Sequence, residues 1–375
     1  MNPLEFGNEI IKIIEGGLDK NKDKVKSYSK LLMDKLQDEG DSRFAERIRR
    51  LLENKSAHPV YMDEFLSKPT DQDSQMDMID ITLPGSEKIN LVLSDTTNKK
   101  IHSYIDSVKN RSKLTALGID LSEALLLYGP PGCGKTSIAH YIAQELNLPL
   151  VTGKLDSMVS SLLGSTAKNI RKIFDYAKER PCILFLDEFD AIAKARTDEN
   201  EVGELKRVVN SLLQNIDNFT QNNLLICATN HEKLLDEAVW RRFSTVIEVP
   251  RPTSKTLIPL VQMYLNNVDY DFKDESKKLK KISTALDGLA PSDVKTVCYS
   301  AIKNSVIADS NTVTHIDFLY QLYLFKNYNE DELSPVQFLY QLGVKQNDIS
   351  KFLNISLRQI RNNLSQEEDV TDDEQ

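Results

Sequence analysis

The sequence has 375 residues, enough for two or three folded units with at least one large core. Its 27% charged and 40% hydrophobic content, with only 14 Gly and 13 Pro, excludes collagen-like, low-complexity and fully disordered chains. The net charge is −9, and the last eleven residues carry six acids without a base, so the other 364 residues are close to neutral at −3 and lack a chain-wide basic field for nucleic acid.

Cysteine usage and hydropathy indicate the compartment. The four cysteines, Cys133, Cys182, Cys227 and Cys298, have no paired spacing of the kind found in disulfide frameworks or zinc sites. No apolar run approaches the roughly 18 residues that a membrane-spanning helix needs. We therefore expect a protein of the reducing cytoplasm with no membrane partner.

The N-terminal part of the sequence has a helical pattern. Apolar residues recur at helical spacing from Phe6 to about Lys55, and polar breaks near Asn21 and Gly40 divide them into three short predicted helices. The next stretch, residues 56–92, contains three prolines and an acidic string, which predicts a linker with one short strand. The N-terminal helices are therefore expected to form a separate module on a tether.

From about residue 93 to 250, short apolar runs alternate with amphipathic helices. The runs are ALLLY (124–128), LPLVTGKL (148–155), CILFLDE (182–188), NLLICATN (223–230) and TVIEVP (245–250). Continuous apolar strands separated by helices are typical of a mostly parallel sheet covered on both faces. The predicted fold class is therefore α/β, and ligands bind such sheets beyond the carboxyl ends of the strands.

The rest of the chain has helical patterns only. A small all-α domain is predicted from Thr253 to about Phe325, followed by a further helical piece and an acidic tail that we expect to be disordered. The predicted units are 1–55 (N-terminal module), 56–92 (linker), 93–250 (α/β domain), 251–327 (all-α domain), 328–364 (further helical unit) and 365–375 (tail).

The sequence GPPGCGKT follows the first buried strand and precedes a helical pattern, which is the context that a phosphate-binding loop requires. Glycines let the backbone turn its N–H groups around a phosphate, and the helix N-terminus adds positive potential. Lys135 is expected to reach the β and γ phosphates, and the Thr136 hydroxyl is expected to bind Mg²⁺. The candidate nucleotide-binding residues are Gly129, Pro130, Pro131, Gly132, Cys133, Gly134, Lys135, Thr136 and Ser137, together with Asp187.

Polar side chains end two further strands at the same predicted edge of the sheet. Asp187 and Glu188 end the run CILFLDE, and an acid there carries a desolvation cost that bound Mg²⁺ and its waters offset. Asp187 is expected to hold the metal through water, and Glu188 to accept a proton from the attacking water. Asn230, at the end of the next strand, is a candidate for orienting that water, although Asn also commonly just ends strands. We therefore expect ATP and Mg²⁺ as ligands and ATP hydrolysis as the reaction.

Five ordered motifs, GPPGCGKT, CILFLDEFDAI, CATN, DEAVWRRF and APSDV, resemble those of the AAA+ ATPases, in particular the branch that includes katanin, spastin and FtsH. The resemblance covers about residues 95–325 and implies a P-loop NTPase core with an all-α lid, in a homo-oligomeric ring, a hexamer, with nucleotide between subunits. By sequence alone, Arg241 and Arg242 are typical of a solvated or salt-bridged pair. On the resemblance they are arginine fingers that reach the neighbour's γ-phosphate, where such an arginine raises the rate roughly 10³- to 10⁵-fold.

Residues 156–177 resemble the central pore loop of this family followed by its helix. The family usually places an aromatic residue before an apolar residue and a glycine to grip an extended polypeptide. The matching positions here are Leu162, Leu163 and Gly164, and leucine lacks the flat face of an aromatic ring. The resemblance implies contact with a threaded client, and an ordinary exposed loop with two leucines is the alternative.

The segment 341–364 has a helix-turn-helix pattern and resembles the DNA-reading units of sigma factors and response regulators. Asn354 stands where glycine is usual, and Ser356 is expected to cap a second helix that starts at Leu357. A helical pair used for packing or for a protein partner is the alternative. The candidate DNA contacts are Arg358, Gln359, Arg361 and Asn362.

These features favour an ATP-hydrolysing ring that remodels or unfolds a protein client, recruited through the N-terminal helices. A DNA-associated ATPase regulator, which binds DNA through the C-terminal unit, is the alternative. A nucleotide-dependent switch with little turnover is disfavoured because Asp187, Glu188 and Asn230 are all present.

Overall fold

The computed structural model describes residues 7–18, 22–38, 42–53, 69, 78–85, 89–119, 123–154, 163–178, 180–190, 202–220, 223–310, 312–326 and 333–371. The chain divides into two compact units, Met1–Ser67 and Lys68–Gln375. No helix among the described residues is both long enough and apolar enough to cross a bilayer.

The first unit contains the three helices that the N-terminal pattern predicts. They are α1 (Gly7–Leu18), α2 (Lys22–Asp38) and α3 (Ser42–Glu53). Their buried residues form a small cluster of Leu32, Leu36 and Ala45, against which Ile13 and Ile48 are partly buried. This unit therefore has a core of its own.

The second unit is built on a six-stranded sheet. Its strands are β1 (Ile79–Thr82), β2 (Ala124–Tyr128), β3 (Leu150–Lys154), β4 (Ile183–Asp187), β5 (Leu224–Thr229) and β6 (Thr245–Glu248). The strand order is β1-β3-β4-β5-β2-β6, and all pairs are parallel except the antiparallel pair of β1 with β3. The five predicted strands and the mostly parallel α/β fold are confirmed, and β1 is the short strand expected in the linker.

Helices cover both faces of this sheet. They are α4 (Asp95–Lys109), α5 (Arg111–Ala116), α6 (Lys135–Leu146), α7 (Leu163–Lys178), α8 (Val202–Phe219) and the short α9 (Glu237–Trp240). Helix α4 begins where Ser94 accepts a hydrogen bond from the Thr97 backbone N–H, as an N-cap residue does. Ile101 of α4 and Ile138 of α6 pack in one buried cluster with strand residues. The central strands are therefore buried except at their carboxyl ends, Tyr128 and Asp187.

The C-terminal helical region, residues 254–371, contains seven helices in the described part of the chain. They are α10 (Ser254–Tyr264), α11 (Ser276–Ala285), α12 (Pro291–Ile307), α13 (His315–Lys326), α14 (Pro335–Gln341), α15 (Gln346–Leu353) and α16 (Leu357–Thr371). Two strands, β7 (Asp269–Tyr270) and β8 (Thr312–Val313), also pair here in parallel. The expectation of helices alone was wrong at this point, because a two-residue strand is too short to produce an alternating pattern.

The last three helices share one hydrophobic core with the preceding four. Leu339, Ile349 and Ile360 belong to the same buried cluster as Leu257 and Val297. Aromatic contacts add to this core: the ring centroids are 5.3 Å apart in the pair Tyr320–Phe352 and 5.5 Å apart in Tyr323–Phe338. The helix-turn-helix-like segment is therefore packed directly onto the rest of the helical region.

Helix α16 is longer than the sequence pattern suggested. The predicted disordered tail begins at residue 365, but residues 365–371 continue α16, and the rest of the tail lies outside the described residues. No glycine or proline interrupts this stretch, and Gln366, Glu367 and Glu368 are good helix formers. The expectation of disorder was therefore wrong for residues 365–371.

Candidate nucleotide-binding site

The loop between β2 and α6 depends on glycine at two positions. At Gly129 an added Cβ would lie 2.3 Å from the Val249 carbonyl oxygen, and at Gly132, where φ is +73°, it would lie 2.1 Å from Ser292 Oγ. Gly134 precedes α6 in the left-handed conformation, and no side chain caps the start of that helix. The first backbone N–H groups of α6 are therefore suited to an anion, as a phosphate-binding loop requires.

Lys135, the first residue of α6, lies inside the loop. Its Nζ donates hydrogen bonds to the carbonyl oxygens of Gly129 (2.7 Å) and Pro130 (2.8 Å). The side chain is buried, and burial lowers the pKa of this amine. A buried cation is costly unless it is paired, so the amine is placed to bind an anion.

The next two polar groups of the site are in contact. Thr136 Oγ1 donates a hydrogen bond of 2.8 Å to Asp187 Oδ2, and the Glu188 backbone N–H donates to Asp187 Oδ1 at 2.9 Å. The structure thus brings together a hydroxyl of α6 and a carboxylate at the end of β4, residues that are 51 positions apart in the chain.

The donor chemistry at this point fits magnesium. Among the residues that the structure describes, no group of three or more His, Cys, Asp or Glu side chains is arranged to hold a metal ion. Mg²⁺ does not need such a group, because it keeps several waters and uses one or two carboxylates with phosphate oxygens of the substrate. Thr136 and Asp187 are therefore suited to a magnesium ion that arrives with the nucleotide.

Glu188 stands in an unusual backbone conformation. Its φ of +50° lies in the left-handed region, which non-glycine residues rarely adopt, and its side chain is exposed. Such residues cost about 1–3 kcal/mol and persist only where the surrounding structure holds them, often at functional sites. The exposed carboxylate lies next to Asp187 at the edge of the sheet.

Hydrogen bonds continue past the end of β4 and connect it to β5. The Phe189 backbone N–H donates to the Ala228 carbonyl oxygen at 2.8 Å. Asp190 is 3% exposed, and its Oδ1 accepts hydrogen bonds from Thr229 Oγ1 (3.0 Å) and from the Asn230 backbone N–H (3.3 Å). The end of β5, where Asn230 lies, is thereby joined to the turn that contains Glu188.

The helical region contacts the phosphate loop directly. The backbone N–H of Ser292, at the start of α12, donates to the Gly132 carbonyl oxygen at 3.2 Å, and Arg251 donates to the Gly288 carbonyl oxygen. A small cleft beside this contact is lined largely by apolar residues, among them Val92, Leu93, Cys133, Val249, Pro250 and Pro291. The loop therefore lies between the sheet and the helical region.

The tandem arginines have different surroundings. Arg241 is highly exposed and makes an ion pair of 2.7 Å with Glu237, one turn earlier. Arg242 is less exposed and pairs with Asp217 of α8, with Nε 3.0 Å from Oδ1. Of the two arginines, Arg241 is therefore the one that extends further into solvent.

The family model described as "ATPase family associated with various cellular activities (AAA)" matches residues 125–251. The AAA family ATPase y4kL of Sinorhizobium fredii is 39% identical over 242 residues, which are 64% of this chain and 72% of that protein. The chain belongs to the AAA family of ATPases.

Two further relatives have more specific names. The proteasome-activating nucleotidase of Methanosphaerula palustris is 29% identical over 270 residues, covering 69% of this chain and 64% of that protein. The ATP-dependent zinc metalloprotease FtsH of Thermobaculum terrenum is 32% identical over 232 residues, covering 60% of this chain and 35% of that protein. The chain thus spans less than two thirds of either relative. AAA family membership itself implies nucleotide binding and ATP hydrolysis.

The pore-loop prediction falls mostly outside the described residues of this AAA ATPase. Leu162 is not among them, and Leu163 and Gly164 are the first two residues of α7. The predicted helix after the loop is present.

The candidate DNA contacts lie at the start of α16. Asn354 ends α15 in the left-handed conformation with φ of +53°, and Arg358 and Arg361 are exposed. Part of the hydrogen-bonding capacity of the Gln359 side chain is used within the protein, because its Oε1 accepts hydrogen bonds from the Ser356 backbone N–H (2.9 Å) and from Ser356 Oγ (2.8 Å). Ser356 is the predicted N-cap residue of α16. Gln359 was not predicted to take part, but it contributes to the same cap.

Cys133 is buried under the helical region. It is 3% exposed, and burial raises the pKa of its thiol, although Lys135 and Arg251 act in the opposite direction. A protonated, inaccessible thiol is a poor nucleophile. These surroundings favour the interpretation of Cys133 as a small packing residue.

Sequence reasoning did not single out two residues of the site. Asp190 lies in the motif CILFLDEFDAI, and an acid between Phe189 and Ala191 is a sequence signal of a buried carboxylate with a partner. Ser292, which contacts Gly132, has no local sequence signal, because the contact depends on how the helical region packs on the loop.

Proposed function

We propose that the chain is a magnesium-dependent ATPase that works as a ring-shaped homo-oligomer, a hexamer, to remodel or unfold a protein client. The single observation that carries the hydrolytic part is the hydrogen bond between Thr136 and Asp187, with Glu188 adjacent at the same edge of the sheet. This arrangement beside the phosphate loop supports a magnesium site at Thr136 and Asp187 with Glu188 as the base.

Each group then has a role in the reaction. The backbone of residues 129–137 and the Lys135 amine bind the phosphates. Thr136 and Asp187 would hold Mg²⁺, Asp187 through water, and the ion would supply positive charge that offsets the charge of the phosphates. Glu188 accepts the proton of the attacking water, and Asn230 orients that water.

Further observations support the proposals of a ring and of a protein client. Arg241 extends from the surface with only an exposed ion pair to Glu237, so it is free to reach a neighbouring subunit's nucleotide, and Arg242 is the second candidate. The name proteasome-activating nucleotidase, carried by relatives, supports action on proteins. The first residues of α7, with Leu162 before them, are the proposed client contact in the ring, and the N-terminal helices are the proposed docking site for a client or adaptor.

The Glu188→Gln variant tests the hydrolytic assignment. It removes the base and keeps the size of the side chain, so ATP should still bind while turnover falls by at least about 100-fold, as expected for loss of a general base. The trapped ATP should also give a larger species in light scattering. Glu145→Gln, an exposed glutamate on α6, is the matched control and should hydrolyse ATP normally.

The client part is tested by stimulation. A misfolded protein should raise the steady-state ATPase rate of the wild type, whereas duplex DNA should not. Normal turnover in Glu188→Gln would contradict the assigned base, and a rate raised only by DNA would contradict protein remodelling.

A DNA-associated regulator is the second candidate function. The left-handed Asn354 between α15 and α16, with Arg358 and Arg361 exposed beyond it, favours this candidate. Because these helices share a core with the rest of the helical region, the full chain should be titrated with duplex DNA at low salt. Binding that weakens steeply with added salt and is lost in Arg358→Ala/Arg361→Ala would support it. A flat titration would reject it.

A further inference from the structure

Contacts of four consecutive residues, 187–190, hold the turn after β4 in place. Asp187 accepts a hydrogen bond from Thr136, and the backbone N–H of Glu188 donates to Asp187. The regular pairing of β4 with β5 ends at Leu186, opposite Cys227. Beyond that point the connection between the two strands depends on the contacts of Phe189 and Asp190.

The last of these contacts are the hydrogen bonds that Asp190 accepts. They are strong because its side chain is buried. A carboxylate that is 3% exposed is costly unless donors surround it, and two donors from the end of β5 converge on its Oδ1. Thr229 extends the connection, because its Oγ1 also accepts a hydrogen bond from the His231 backbone N–H at 3.1 Å. His231 Nε2 lies 4.0 Å from the other oxygen, Oδ2. Residues 229–231 are therefore arranged around one side chain.

We propose that Asp190 is a positioning residue for ATP hydrolysis: it joins the end of β5, where Asn230 lies, to the turn that contains Glu188. This inference rests on the proposed function, which assigns Glu188 and Asn230 to the attacking water. Asp190 acts through those two residues.

The single buried carboxylate of Asp190 can position Glu188 and Asn230 because it lies between the Glu188 turn and the end of β5. Glu188 adopts a strained left-handed conformation, which persists only if its neighbours are held. The neighbour on one side is held by the Phe189–Ala228 hydrogen bond, and Asp190 holds the following position. Without the carboxylate, the Glu188 turn and the Asn230 backbone lose their common anchor and separate. A displacement of about 1 Å in such a pair can lower a rate about 100-fold.

The test uses two pairs of variants and three measurements. Asp190→Ala removes the acceptor, and Asp190→Asn keeps one acceptor oxygen. Thr229→Val removes the hydroxyl at nearly constant shape, and Thr229→Ser keeps it. For each variant, kcat is compared with the dissociation constant of a fluorescent ATP analogue, and thermal melting reports folding.

Asp190→Ala should lower kcat about 100-fold while the dissociation constant stays within about 3-fold, because the phosphate loop is intact. Thr229→Val should lower kcat about 10-fold, and Asp190→Asn and Thr229→Ser should recover most of each loss. A merely structural role would lower binding and melting temperature together with kcat. If Asp190→Ala fails to fold, the Thr229 pair decides the test.

A double variant shows whether Asp190 acts through Asn230. The loss of kcat in Asp190→Ala/Asn230→Ala should be clearly smaller than the product of the two single losses, because residues that act as one unit are not additive. Losses that multiply, or an Asp190→Ala enzyme with normal kcat, would overturn the inference. Glu188→Gln is measured in the same series. If it turns over normally, the proposed function itself fails, whereas an inactive Glu188→Gln beside a normal Asp190→Ala rejects only the positioning role.

Discussion

At the carboxyl edge of β2, β4 and β5, polar side chains are held by hydrogen bonds to one another, whereas the C-terminal helical region is held mainly by apolar and aromatic contacts. The sheet edge has the contacts Thr136–Asp187 and Asp190–Thr229. In the helical region, Phe272 lies among Tyr270, Phe318 and His315, with ring centroids 4.9, 5.6 and 6.0 Å away. The comparison indicates that changes at the sheet edge should affect chemistry first, and changes in the helical core should affect stability first.

The largest effect on nucleotide binding is expected at Lys135, the buried cation of the sheet edge. Lys135→Ala should weaken nucleotide binding by at least about 100-fold, because a hydrogen bond to a charged group contributes about 1.5–3 kcal/mol and the lysine is expected to make more than one. Isothermal titration with ADP measures the change. Lys100→Ala, an exposed lysine on α4, is the control. An unchanged dissociation constant for Lys135→Ala would show that the loop does not hold the phosphates.

The two arginines before β6 allow a second comparison, between an exposed and a less exposed side chain. Arg241→Ala should lower the ATPase rate about 1,000-fold at a concentration where rings form, without a change in melting temperature, because the side chain is exposed. Arg242→Ala should lower the melting temperature, because it breaks the ion pair of Arg242 with Asp217 of α8.

Glu237→Gln is the control for Arg241. It removes the exposed ion pair and keeps the arginine, and such pairs contribute only about 0.3–0.5 kcal/mol. Its ATPase rate should therefore stay near the wild-type value. An Arg241→Ala protein with full activity would contradict the proposed role in the neighbouring site.

In the helical region, His315 should make stability depend on pH. It is 7% exposed, its Nε2 has no hydrogen-bond partner among the described residues, and burial, with Lys278 and Lys281 nearby, lowers its pKa to about 4. The unfolded chain takes up a proton below a pH of about 6.5, whereas the folded chain does so only near 4. Stability should therefore be complete above pH 6.5 and fall by about 3 kcal/mol as the pH drops to 4.

Chemical unfolding of His315→Phe between pH 7.5 and 4 tests this expectation. The variant should lose that part of the acid sensitivity, and it should be no less stable at pH 7.5, because the phenyl ring leaves no buried nitrogen without a partner. His102→Gln, an exposed histidine on α4, should keep the wild-type pH dependence. Equal acid sensitivity in wild type and His315→Phe would contradict the assignment.

The smallest effect is expected at Cys133, which lies where the two regions meet. Burial raises the pKa of its thiol, so iodoacetamide at pH 7.5 should leave the ATPase rate unchanged. Activity that falls on alkylation, and is protected in Cys133→Ser, would show that the helical region opens away from the phosphate loop.

Several features were predictable because their signals are local. The five apolar runs predicted β2 to β6, and the spacing of GPPGCGKT predicted the loop between β2 and α6. Asp187 and Glu188 were identified because they directly follow a buried strand. Each of these signals lies within about ten residues of sequence, where hydrophobic periodicity and turn chemistry operate.

Other features could not be read from the sequence, because they depend on contacts between distant segments. The contact of Asp190 with Thr229 spans 39 residues, and the packing of Ser292 on Gly132 joins the helical region to the phosphate loop. The pairing of β7 with β8 likewise joins two strands that are too short to have a pattern.

By itself, the sequence determined the strands β2 to β6, the phosphate-binding loop and the identity of the acids at the strand ends, because backbone conformation and burial pattern are local properties. Only the tertiary structure decided that Arg241 is exposed while Arg242 is held by Asp217, that the last three helices share the core of the helical region, and that Asp190 connects β4 to β5. These outcomes depend on which surfaces meet when the chain folds, and that is settled by burial and hydrogen bonding across the whole unit.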